Sequence, residues 1–131
     1  MQLIPTIIIS LLAAAETSSA WQIIGYQDSR TCNNQVRNRV LRGGNGQSGC
    51  YTFGQSMPGV TCTEYARDGA PAQGCHGHLP ITSIRVGTGE SCTFYQGGGC
   101  TGATHVVHRV NTCVTFGDRT TIGSYRCVSV I

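Results

Sequence analysis

Ser91-Cys92-Thr93-Phe94-Tyr95-Gln96-Gly97-Gly98-Gly99-Cys100-Thr101-Gly102 is the stretch on which the fold turns. Its first five residues are a short β-branched and aromatic run, and the glycines that follow supply the positive backbone angles of a tight turn. A glycine run can also cradle a phosphate. Here no Lys-Ser/Thr follows the run and no helix signal opens after it, so the stretch reads as strand, turn and return.

Working outward, no part of the chain after Trp21 carries a sustained apolar repeat at helical spacing. Gly, Ser, Thr and Asn recur every few residues between short β-branched or aromatic runs, the grammar of an all-β protein. The runs predict strands over 21–26, 35–41, 50–53, 81–86, 91–95, 104–110, 113–116 and 124–130. Further glycine clusters at 43–46 and at Gly87 and Gly89 mark turns between them.

The leader is set apart from the fold. An apolar run from Leu3 to Ala15 is too short to span a bilayer, and Ser18 and Ala20 sit three and one before Trp21, as a signal peptidase requires. Residues 1–20 therefore read as a signal peptide and 21–131 as a single exported domain. Removing Glu16 with the leader raises the formal net charge by one from +3. All cationic side chains other than histidine are arginines, and there is no lysine. All eight cysteines lie beyond the leader: Cys32, Cys50, Cys62, Cys75, Cys92, Cys100, Cys113 and Cys127. An even number in an exported chain reads as four disulfides. No Cys-x2-Cys pair is present to suggest structural zinc.

Read against each other, two halves align. Tyr26, Cys32 and Asn34 parallel Tyr95, Cys100 and Gly102, and each series reaches a second cysteine, Cys50 or Cys113. Each half closes on a serine-bearing strand, Thr82-Ser83-Ile84-Arg85-Val86 and Gly123-Ser124-Tyr125-Arg126-Cys127. Internal duplication accounts for the pattern. Motif one spans 21–86 with an insertion at 54–78, a loop carrying Cys62 and Cys75; motif two spans 87–131.

The second half, from Ser91 through Tyr95 and Cys100 to Gly102, resembles the βγ-crystallin Greek-key signature, with Cys100 in place of the second aromatic. Ser83 and Ser124 match the serine of the closing strand. Motif one departs, with one extra residue before Cys32 and Asn34 where glycine is expected; asparagine tolerates the left-handed conformation. The resemblance covers residues 21–131 and is closest to small cysteine-rich secreted proteins of the fungal effector, killer-toxin and antimicrobial group. It implies two Greek-key motifs forming a sandwich, without implying one shared activity. The equivalence it sets up pairs Cys32 with Cys50, Cys100 with Cys113 and Cys62 with Cys75. It leaves Cys92 and Cys127 to replace an apolar contact at Ile23 and Val86. The family's calcium ligands are Asn or Asp before the closing serine. These places hold His78 and Leu79, and Arg119 and Thr120, with Asp118 one place away, so no metal and no cofactor is expected.

Site readings follow from the remaining side chains. Arg37, Arg39 and Arg42 form the one basic cluster, and period two puts Arg37 and Arg39 on one strand face, suited to an anionic surface. His76 and His78 flank Gly77 beside Cys75, two imidazoles that Cys75 cannot join as a metal ligand once oxidised. His105 and His108 differ by an odd number and fall on opposite faces. The acids are scattered and no Gly-x-Ser-x-Gly elbow occurs, so the chain reads as no enzyme. A ribonuclease built from His76 or His105, Glu64 and an arginine is the weak enzymatic alternative. Trp21 and Tyr26 read as packing residues. The expectation is a monomeric extracellular interaction protein, effector-like, antimicrobial or toxin-like, meeting cell wall, membrane surface or host protein, with no nucleic acid. The alternative is a protease inhibitor presenting the loop between Cys62 and Cys75.

Overall fold

The computed structural model describes residues 20–87, 91–117 and 119–128; the leader lies outside the described residues apart from Ala20, as do Asp118 and the predicted strand end at 129–130. The described strands are β1 (Trp21–Tyr26), β2 (Asn38–Gly43), β3 (Tyr51–Thr52), β4 (Thr61–Tyr65), β5 (Gln73–Gly74), β6 (Ser83–Val86), β7 (Ser91–Tyr95), β8 (Thr104–Val107), β9 (Cys113–Val114) and β10 (Ser124–Val128). Among the described residues there is no helix. The fold is all-β, in two antiparallel sheets of order β5-β4-β2-β1-β6-β9 and β3-β10-β7-β8.

Alternation fixes which way each strand faces. In β7, Cys92 and Phe94 are buried while Ser91, Thr93 and Tyr95 are half-buried, and in β10 Tyr125 and Cys127 are buried while Arg126 and Val128 are exposed. Trp21, Ile23, Leu41, Ile84 and Val86 from the first sheet meet Phe94, Val107 and Tyr125 from the second in one core. Trp21 and Tyr26 are both fully buried. The Trp21 indole N–H donates to the carbonyl of Gln47 at 2.9 Å, satisfying the ring's polar group.

The sheets exchange their short third strands. β3, from the first half of the chain, pairs with β10, and β9, from the second half, pairs with β6. The exchange carries Tyr51 and Phe53 across to Tyr125, at ring separations of 5.7 and 5.3 Å. It also corrects two expected disulfides. Cys50 and Cys113 travel with the exchanged strands, so the bridges are Cys32–Cys113 and Cys50–Cys100 rather than Cys32–Cys50 and Cys100–Cys113. Cys62–Cys75 and Cys92–Cys127 pair as expected. Cys92 faces Cys127 in register just as Ile23 faces Val86, so a covalent link stands where the other sheet has an apolar contact.

Several strands also differ in extent from the sequence reading. β2 starts three residues later than predicted, because Val36 N–H and Asn33 C=O close a turn over 33–36. β8 ends at Val107 rather than at 110. The insertion is not a loop throughout, since β4 pairs with β2 and β5 with β4, extending the first sheet.

Each folded hairpin is latched by its closing serine. The backbone N–H of Cys32 donates to Ser83 Oγ at 3.2 Å, and that of Cys100 donates to Ser124 Oγ at 2.8 Å. Both cysteines are left-handed, with φ of 54° and 58°. Asn34 is not among the left-handed residues; its Oδ1 instead accepts the Tyr26 hydroxyl at 2.8 Å. Gly123 lies against the hairpin backbone, where a Cβ would come within 2.5 Å of the Gly97 carbonyl carbon.

Truncating Ser83 or Ser124 to Ala strands a hairpin N–H with no acceptor and costs about 1–3 kcal/mol each. Gly123→Ala forces backbone apart and costs about as much or more. Denaturant unfolding of the oxidised protein measures both; losses below about 0.5 kcal/mol, the range of ordinary surface substitutions, contradict the latch.

Candidate recognition surface

The insertion stands on β2 because β2 and β4 run side by side. Their register sets Arg39 opposite Glu64 and Leu41 opposite Cys62. From that register the Arg39 Nε donates to Glu64 Oε1 at 2.7 Å, with both side chains 15 % exposed. The same guanidinium donates through Nη1 to the Gly77 carbonyl at 2.9 Å and through Nη2 to that of His76 at 2.8 Å. Arg39 thus ties the middle of the insertion, at Glu64, and its C-terminal end, at His76 and Gly77, to the sheet, and its planar, fixed donors are what such a three-way contact requires.

The expected basic cluster divides accordingly. Arg37 shares the face of Arg39 and approaches Glu64 Oε2 at 3.7 Å, with 54 % of its own side chain exposed. Arg42 lies on the opposite face, its Nε donating to Gln22 Oε1 at 2.8 Å. Arg37 and Arg42 remain exposed enough to meet an outside partner, whereas Arg39 is part of the scaffold.

His76 and His78 are exposed and held by the backbone of their own segment, through Arg39. The His78 ring lies over Gly54, where a Cβ would come within 2.9 Å of Nδ1, and Gly54 is left-handed with φ of 88°. Cys75 is oxidised. His105 packs on Phe116 at 5.0 Å, while His108 Nδ1 meets Ser91 Oγ at 3.1 Å, on different sides of the strand line.

Two hollows flank this surface. One, of about 460 Å³, runs between the insertion and the sandwich edge, with Leu41, Met57 and Val60 in its walls and Arg39 and His78 among its polar lining. The other, of about 540 Å³, lies on the outer face of the first sheet. Sequence reasoning missed the second, whose lining is dispersed from Gln22 to Asn111. At its edge the Tyr26 hydroxyl is pushed above the ordinary phenol range by burial, with Arg85 opposing and Asp68 reinforcing. A smaller hollow of about 220 Å³ joins Asp28, Ser29 and Thr82 of the first half to Arg119 of the second.

These elements define a disulfide-tied, two-sheet β protein with a clamped insertion as its most elaborated surface. Comparison with protein-family models, with curated proteins and with solved structures found no match. The four bridges suit an oxidising, extracellular-type environment. No helix among the described residues is long and apolar enough to cross a membrane.

Arg39→Ala removes one partly buried end of an ion pair and two carbonyl contacts, and lowers stability by about 2–4 kcal/mol. Arg37→Ala, at the exposed pair, changes it by less than about 0.5 kcal/mol. Unfolding curves for the two variants distinguish a clamp from a solvated charge; equal effects contradict the clamp.

Proposed function

We propose that this chain is a secreted, non-catalytic interaction protein of the βγ-crystallin-like, cysteine-rich kind, effector-like or antimicrobial in action, that meets its target through the insertion at 54–78 and the adjoining arginine strand. The observation that carries this reading is the clamp: Arg39, Glu64 and the Cys62–Cys75 bridge hold an otherwise exposed 25-residue segment on the sheet edge. A segment so fixed is preorganised, and preorganisation lowers the ordering cost of binding. The strand exchange and the paired serine latches support the family resemblance, since both recur in the two halves.

The inhibitor reading draws less support. Between Cys62 and Cys75 the chain is a sheet hairpin, and its turn is tied down by the Asp68 N–H donating to the Asn34 carbonyl at 2.7 Å. An inhibitory loop is rigid but stands clear of its own domain, so that it can enter an enzyme cleft.

The test applies labelled, oxidised protein to fungal, bacterial and plant cells beside an Arg37→Ala/Arg42→Ala variant, which spares the clamp. Saturable association or loss of viability is expected on at least one cell type. The variant weakens it about 3- to 10-fold at low salt and less at high salt, because exposed charges are screened. Absence of association and effect on every cell type contradicts the reading.

A further inference from the structure

The outer face of the first sheet is recessed where a sandwich surface would ordinarily be convex. Ile24 of β1 and Val40 of β2 form its floor, and Val40 is only 8 % exposed although it points away from the core. The turn carrying Asp68 forms one wall, bound to Asn34. Asn111, whose N–H donates to the Val86 carbonyl at 2.7 Å, closes the other end.

The side chains around this trough are planar and polar, and each is half used by the fold. Asn34 spends Oδ1 on Tyr26, and Asn38 spends Nδ2 on the Val36 carbonyl. Gln22 spends Oε1 on Arg42, and Arg85 spends Nη2 on the Cys32 carbonyl. The amide nitrogens of Asn34 and Gln22 are left for an outside partner, among the described residues, while Asn38 is buried, at 6 % exposed. Arg85 Nε is buried with no acceptor among them, an orphan donor beside the trough. One carboxylate, Asp68, and one guanidinium, Arg85, offset each other in charge.

We propose that this trough binds a neutral saccharide. A sugar ring sets an apolar C–H face on the Ile24 and Val40 floor while its hydroxyls, each donor and acceptor, meet the amide, Tyr65 and Asp68 groups around it. The balanced charge favours a neutral sugar over a uronate. A volume of about 540 Å³ holds one to three sugar units, within the range of ligand sites. The inference deepens the interaction reading by naming a partner class, surface glycan, and rests on that reading for its setting.

The experiment titrates the full oxidised, isotope-labelled protein with cellotriose, laminaritriose, mannotriose and triacetylchitotriose, with trigalacturonate as the charged control. At least one neutral trisaccharide shifts the amides of residues 38–40 and 65–70, with a dissociation constant of roughly 0.1–1 mM for so open a site. Tyr65→Ala and Asp68→Ala each weaken it about 3- to 10-fold with the melting temperature unchanged. If a variant fails to fold, the wild-type shift map decides. Three results overturn the assignment: no shifts with all four neutral sugars at about 10 mM, shifts confined to residues away from the trough, or tighter binding of trigalacturonate. Sugar binding by a protein inert toward cells defeats the interaction reading alone. Cell association by a protein that binds no sugar defeats this assignment alone.

Discussion

The exchange of β3 and β9 between the sheets is the constraint from which the rest of the architecture follows, and it cannot hold by pairing alone. Each exchanged strand is two residues long. A few backbone hydrogen bonds, worth about 1 kcal/mol each net, do not offset the entropy of ordering the long connections that deliver them. Two further interactions close that gap. Tyr51 and Phe53 bury their rings on Tyr125, and Cys32–Cys113 and Cys50–Cys100 bridge sequence separations of 81 and 50. In the chain-entropy account such long closures contribute about 4 kcal/mol each, against about 3 for the separation of 13 at Cys62–Cys75.

With the halves locked together, the hairpins have somewhere to fold. Cys32 and Cys100 take the left-handed conformation, present their N–H groups to Ser83 and Ser124, and offer sulfur to the exchanged strand of the other half. The core is thereby shared between the sheets, which leaves the outer faces and the insertion free to vary in chemistry. Arg39 and Glu64 fix the insertion, and the turn it carries becomes one wall of the trough over Ile24 and Val40.

Much of this was legible in the residues, and the part that was not shares one cause. β1 and β7 follow the sequence reading residue for residue, because apolar alternation and bounding turns are local signals. The Cys92–Cys127 bridge was legible too, through its equivalence to Ile23 and Val86. Equivalence between halves does not reveal which sheet a third strand joins, so the partners of Cys32 and Cys100 were exchanged. Likewise Arg37, Arg39 and Arg42 look alike along the chain; the β2–β4 register, bringing Glu64 from 25 residues away, makes Arg39 different. Thr61, Thr63 and Tyr65 at alternate positions were the available signal for β4, hidden by the glycines and prolines around them.

Everything depends on the two bridges that run between the halves, Cys32–Cys113 and Cys50–Cys100. Peptide mapping of the oxidised protein under non-reducing digestion reads this directly. Fragments joining Cys32 to Cys113 and Cys50 to Cys100 are the result expected. Fragments joining Cys32 to Cys50 and Cys100 to Cys113 would mean that each half is closed on itself, and the interlocked account would fall.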